Sequence, residues 1–321
     1  MPNKNKMLNI KSLFFFLALI WLNSCSGQKT ELIALPFEQD LFPEGITIDS
    51  RTKTVYLNSL KHNKIVSSSI NGNNPKTFLE TNGHNYLSGF GMTIKGDTLY
   101  ALGNSLPEGE SKSILLLLQL STGALIDSYS IKDSVSHYWN DLAISTTNQV
   151  FITDSESNKI YTIQRPSKTI EIYLDSEAVP NSNGITISAN DNYLYLASDN
   201  GVAVIETASK KLLNKPREEY SSIDGLKYYK NNLYGIVNGW GEQSQNGLFK
   251  FELNPTGTEV LKSKKIVEFT ERFRIPTTFD ICDGYIYFIT NTQIDNLDGN
   301  TNKIIDTNKL EPYGMMKIKV E

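Results

Sequence analysis

Short apolar strands recur along this chain in pairs. The second member of each pair is an apolar residue followed by an aromatic: Val55-Tyr56, Leu99-Tyr100, Val150-Phe151, Leu194-Tyr195, Leu233-Tyr234 and Ile286-Tyr287. About ten residues before each stands another short apolar segment, opening at Glu44-Gly45, Phe90-Gly91, Asn140-Asp141, Asn183-Gly184, Asp224-Gly225 and Phe279-Asp280. Clusters of Asn, Gly, Asp and Ser separate the runs, which is the punctuation of turns between strands rather than of crossover helices. Six pairs at intervals of roughly forty to fifty residues predict an all-β six-bladed propeller of four-stranded antiparallel blades. The first blade can be read whole, from Glu44–Asp49 through Thr54–Leu57 and Lys64–Val66 to Lys76–Leu79. Strand-like segments near both ends, Glu31–Leu35 and Met315–Val320, are expected to complete the last blade together and so close the ring. No amphipathic helix is expected after residue 30.

In a propeller the innermost strands line a central channel, so equivalent positions at their entrances face one another. That turns Glu44, Asn140, Asn183 and Asp224 into a ring, completed by Phe90 and Phe279. Two carboxylates and two carboxamides are hard oxygen donors that suit one central Ca²⁺ ion, with water or substrate atoms filling the remaining positions. The three histidines, His62, His84 and His137, show no zinc-ligand spacing and are expected on the surface or in turns. Asn and Asp before Gly are also common turn residues, and an ion there could simply pin the blades, so a structural reading stays open.

The motifs Phe42–Asp49, Trp139–Ile144, Asn183–Ser188 and Ile223–Leu226 resemble those of the gluconolactonase, senescence marker protein and luciferin-regenerating enzyme family of six-bladed calcium propellers. The resemblance runs from about residue 31 to the C-terminus. It implies that Glu44, Asn183 and Asp224 are direct ligands, that Asn140 is a fourth ligand or a holder of water and substrate, and that Asp224 is the catalytic base or nucleophile. The implied activity is calcium-dependent hydrolysis of a small-molecule lactone or ester. Two positions depart from the pattern. Tyr138 stands where sugar-lactone hydrolases of this family carry an arginine, and Pro180-Asn181-Ser182-Asn183 replaces their Pro-Asn-Gly, so that Asn181 competes with Asn183, whose Gly184 register favours it. Tyr138, Trp139, Asn104 and Trp240 are candidates for the wall of the substrate pocket; packing and turn capping are their alternative roles. A non-catalytic envelope propeller that binds a small molecule, glycan or protein is the alternative to a hydrolase.

The first residues belong to a different kind of segment. Lys4, Lys6 and Lys11 precede an apolar stretch, Leu13 to Leu22, which ends at Leu22-Asn23-Ser24-Cys25. This resembles a bacterial lipoprotein signal, with 1–24 removed, Cys25 lipidated, 25–30 a tether and 31–321 the propeller; an ordinary secretory signal is the other possibility. Its apolar run falls short of the roughly 20 residues that span a bilayer. The expected location is the bacterial cell envelope, with the membrane reached through the lipid anchor only. Removing three lysines leaves 28 basic against 35 acidic side chains, a balance that opposes nucleic-acid binding. With Cys25 acylated, Cys282 has no disulfide partner and is expected to be inert core.

Overall fold

The structure, a computed structural model, describes residues 30–106, 111–165 and 167–320. The leader, Cys25 and all but the last residue of the tether lie outside the described residues. Among those described, no helix is long and apolar enough to cross a membrane.

Six antiparallel sheets of three or four strands follow one another along the chain as blades, and a two-stranded ribbon, Leu297–Asp298 with Lys303–Ile304, lies in a connection of the last one. The inner strands of the blades are Ile46–Asp49, Ser88–Lys95, Trp139–Ile144, Ile185–Ile187, Ile223–Tyr229 and Phe279–Cys282. Each of the six apolar-aromatic pairs sits in the second strand of its blade, and the aromatic or its apolar neighbour is fully buried in every case. The reason is alternation: both faces of a middle strand in a propeller pack against adjacent blades, so consecutive residues are both core. Helical structure among the described residues is limited to 3₁₀ turns of three residues.

The two ends of the chain close the last blade as expected. Thr30–Leu35 runs antiparallel to Tyr313–Lys319, which in turn pairs with Tyr285–Ile289, so the N-terminal strand is outermost. This leaves neither end of the ring as an open seam.

Blade 4 departs from the four-stranded plan. Its sheet has three strands, Ile185–Ile187, Tyr193–Ser198 and Gly201–Glu206. The edge of the third is paired only briefly by backbone, Ile205 bridging Leu212 with Leu213 N donating to Val204 O at 2.8 Å, and a side chain continues that pairing: Asn214 accepts from Val204 N at 2.8 Å and donates to Val202 O at 2.8 Å. A carboxamide carries the same donor and acceptor as a peptide group, so Asn214 satisfies the part of the edge that the short backbone bridge does not reach.

Candidate functional site

The six inner strands begin around one end of the channel, and the blades touch there in sequence. Thr277 and Thr278 of blade 6 both donate to Glu44 O, at 2.8 and 2.7 Å, and Thr153 Oγ1 of blade 3 donates to Asn183 O at 2.6 Å. A Cβ added at Gly45 would lie 2.2 Å from Phe90 O, and one at Gly184 would lie 2.3 Å from Asp224 O. The glycine after the ring residue is therefore required by the close approach of the next blade, not by turn conformation.

Two backbone devices aim the ring side chains. In blades 2, 3 and 5 the pairing slips between Gly89 and Met92, Trp139 and Leu142, and Ile223 and Leu226, so that the ring residues Phe90, Asn140 and Asp224 sit on bulges. In blades 1, 4 and 5 the residue two before the ring position is left-handed: Phe42 at φ 49°, Asn181 at φ 47° and Ser222 at φ 58°. A phenylalanine held there is costly and is over-determined by its surroundings, being fully buried with its N–H donated to Tyr313 Oη at 2.9 Å.

Four ring positions carry oxygen donors, and their atoms are incompletely satisfied. Glu44 Oε2, Asn140 Oδ1 and Asn183 Oδ1 are buried and have no hydrogen-bond partner among the described residues. The amide orientations are set by what their nitrogens do. Asn140 Nδ2 donates to Ser155 Oγ at 3.0 Å, and Asn183 hydrogen-bonds the Asp224 carboxylate. Asp224 also accepts from Asn238 Nδ2 at 2.7 Å, and the same nitrogen reaches Pro276 O at 2.9 Å. Burial, joined by the charges of Asp224 and Asp141, raises the Glu44 carboxyl well above its usual range, although Lys227 opposes this. Burial pushes Asp224 up to about 6, against the stabilising hydrogen bonds from Asn238 and Asn183. Two repelling, desolvated carboxylates beside orphaned carbonyl oxygens are what a cation would relieve. Among the described residues no three His, Cys, Asp or Glu side chains converge on one point, so the donor set is acid plus amide, suited to a hard cation rather than zinc.

Asn181 is exposed and tied to Asp199 Oδ2 at 2.7 Å, whereas Asn183 occupies the ring register. Phe90 and Phe279 are buried core. The proposed pocket wall is only partly present. Trp139 is fully buried within a hydrophobic cluster and cannot line a mouth: side chains alternate along a strand, and its neighbour Asn140 is the residue directed to the channel. Asn104 is likewise buried; it accepts from Trp139 N at 2.9 Å and donates to Trp139 O at 3.0 Å, fixing the backbone that presents Asn140. Trp240 lies with Tyr220, Phe249 and Phe251 in a separate cavity on blade 5. Tyr138 remains partly exposed and meets Phe90 edge-on, with ring centroids 4.6 Å apart.

His137 also differs from expectation. It is buried, with Nδ1 2.9 Å from Asp154 Oδ2 and Nε2 3.1 Å from Asp133 Oδ1, and Asp154 in turn accepts from Tyr138 N at 2.9 Å. The triplet fixes the loop that leads into the Asn140 bulge. Cys282 is buried and unpaired, and burial raises its thiol.

Sequence reasoning missed Asn238, Ser155 and Lys227. Asn238 follows the second strand of blade 5 much as Asn58, Asn104 and Asp154 end theirs, and Asn58 likewise accepts from Gly45 N at 2.8 Å. That recurrence of a polar residue at the end of the apolar-aromatic strand was the available signal.

No protein-family model matches the chain, and no curated protein does. Solved structures do. A gluconolactonase from Xanthomonas campestris is 10% identical with a TM-score of 0.59, covering 90% of this chain and 89% of its own. The calcium-binding protein regucalcin from Agrobacterium tumefaciens is 12% identical with a TM-score of 0.56, covering 88% and 92%. A pyrroloquinoline-quinone-bound aldose sugar dehydrogenase from Streptomyces coelicolor is 10% identical with a TM-score of 0.61, covering 91% and 98%. The first carries a name to which the sequence motifs pointed, as does a luciferin-regenerating enzyme that is 12% identical with a TM-score of 0.58, covering 91% of this chain and 98% of its own. At these identities the likeness establishes the propeller, and the dehydrogenase shows that this fold serves unrelated chemistries.

Proposed function

We propose that the chain is a calcium-dependent hydrolase acting on a lactone or ester at the ring end of its channel. The observation that carries this reading is the set of orphaned buried oxygens, Glu44 Oε2, Asn140 Oδ1 and Asn183 Oδ1, grouped with the desolvated Asp224. These four residues would hold the ion. Calcium bound there supplies electrostatic polarisation of a substrate carbonyl and stabilises the charge that develops on its oxygen.

The protein's own groups do the rest. Asp224, fixed by Asn183 and Asn238, takes up the proton of the attacking water. Ser155 holds the Asn140 amide so that its oxygen, not its nitrogen, faces the channel. Tyr138, partly exposed and backed by the buried Phe90, offers an aromatic surface where the resembling sugar-lactone hydrolases carry an arginine, which favours a less hydroxylated substrate than a sugar acid lactone. The resemblance of the leader to a lipoprotein signal supports an enzyme tethered at the cell envelope.

The test is hydrolysis of a panel of lactones, aryl esters and phosphotriesters with and without calcium, using wild type and Asp224→Asn. Calcium-dependent turnover that the substitution abolishes supports the reading. Tight calcium binding with no turnover on any substrate would reassign the protein as a non-catalytic binding propeller.

A further inference from the structure

The inner strands end at the opposite mouth of the channel, where a second cavity of about 320 Å³ opens. Four consecutive blades contribute to it, through Thr93 and Lys95, Ser145 and Thr146, Thr186, and Lys227. Its chemistry is the reverse of the ring's: donors and positive charge in a chain whose formal net charge is −4.

Lys227 is the unusual member. Its side chain is 18% exposed, and its nearest carboxylate oxygen, Asp141 Oδ2, is 3.9 Å away, beyond hydrogen-bonding distance. That oxygen already accepts from Ile185 N at 3.3 Å. Among the described residues the Lys227 ammonium donates no hydrogen bond to the protein. Neither does the hydroxyl of Thr93, and Thr186 Oγ1 accepts from Tyr228 N at 3.0 Å while its proton is donated to no protein atom among those described. An enclosed ammonium with three N–H groups and two hydroxyls thus line one small cavity with their protons uncommitted. Lys95 adds charge at the rim, its own ammonium held by Ser145 O and by Thr146 O. Besides Asp141, the buried carboxyls of Asp280 and Glu44 feel the Lys227 charge from the channel side, while Asp191 is the acid at the rim and is engaged by Thr146 N at 2.8 Å.

We propose that this mouth binds a small oxyanion, of the carboxylate or phosphate kind, anchored by Lys227 and oriented by the Thr93 and Thr186 hydroxyls. An oxyanion presents only acceptors, matching a wall of uncommitted donors, and charge-assisted bonds to an ammonium are the strong ones. The site does not rest on the hydrolase reading and stands even if the protein hydrolyses nothing, although the Lys227 charge also acts on Glu44 in the ring.

The experiment uses the full chain after chelation, so that no ion at the ring can hold an anion, and titrates it calorimetrically with inorganic phosphate and, separately, with acetate. Saturable heat with one or both is expected, and the stronger of the two identifies the anion class. Lys227→Met should weaken binding about tenfold or more, while Lys227→Arg retains it and shows that the charge, not the fold, was lost. The Thr93→Val, Thr186→Val double variant, which leaves the Lys227–Asp141 pair in place, should weaken binding severalfold and decides the matter if Lys227→Met does not fold. Absence of saturable binding in wild type, or equal affinity in the Lys227→Met or double-valine protein, overturns the proposal.

Discussion

Two layers of buried acid lie in the same channel, and they differ in how they are satisfied. In the ring, Glu44 and Asp224 repel one another beside carbonyl oxygens that have no partner. One position along, Asp141 and Asp280 are also raised by burial, yet each is answered by the protein itself. Asp280 Oδ2 accepts from Ile48 N at 2.7 Å and Thr47 Oγ1 at 2.9 Å, and its Oδ1 accepts from Ile281 N at 2.7 Å. Asp141 accepts from Leu142 N and Ile185 N, with Lys227 nearby. Asp280 thereby ties blade 6 to blade 1, and Asp141 ties blade 3 to blade 4. A buried carboxylate is thus not by itself a site; what separates binding from architecture is whether its lone pairs have been spoken for.

The contrast can be broken by exchanging consequences between the layers. Glu44→Gln should lower calcium affinity by several kcal/mol, on the order of a hundredfold or more, because a charge in direct contact with the ion is lost. The same substitution should leave the metal-free melting temperature unchanged or raised, since it removes a desolvated charge. Asp280→Ala should behave oppositely, costing about 3 kcal/mol in urea unfolding by orphaning three donors. An equal stability loss in both variants, measured side by side, would erase the distinction between the layers.

Asn238→Ala sharpens it at one remove. The substitution touches no expected ion contact, but it frees the Asp224 carboxylate, and loss of such a supporting hydrogen bond typically costs about 10- to 100-fold in metal affinity. Acidity gives a smaller and graded effect. Because the Asp224 pKa is raised from 3.8 to about 6, ionising it destabilises the metal-free fold. Stability without calcium should therefore fall as pH rises across that interval and then level off, with Glu44, whose carboxyl burial also raises, adding to the fall. Calcium needs the ionised forms, so the rise in melting temperature that it produces should be larger above that interval than below it. A calcium-induced shift independent of pH would count against these carboxylates as ligands. The smallest effect belongs to blade 4: Asn214→Ala should cost about 1 kcal/mol through loss of its two edge hydrogen bonds, without altering calcium affinity.

The repeat made the architecture readable because each blade must bury both faces of its second strand, and that need writes an apolar-aromatic pair into the chain six times. The ring register was readable for the same reason, the glycine beside it being required by interblade contact at Gly45 and Gly184. What lay beyond reach was the partner of each polar group. Nothing local distinguishes Asn214, which extends a short backbone bridge along the blade 4 edge, from a turn asparagine, and Trp139 beside Asn140 looked like pocket wall until alternation placed it in the core. Asn238 and Ser155 act across loops, so their roles depend on contacts that no single segment contains.

The most direct test of the central claim is a calorimetric calcium titration of wild type and Glu44→Gln in the same buffer. The account predicts one ion per chain in the wild type and strongly weakened binding in the variant, with the fold intact by circular dichroism. No calcium binding by wild type, or an affinity that Glu44→Gln leaves unchanged, would contradict it.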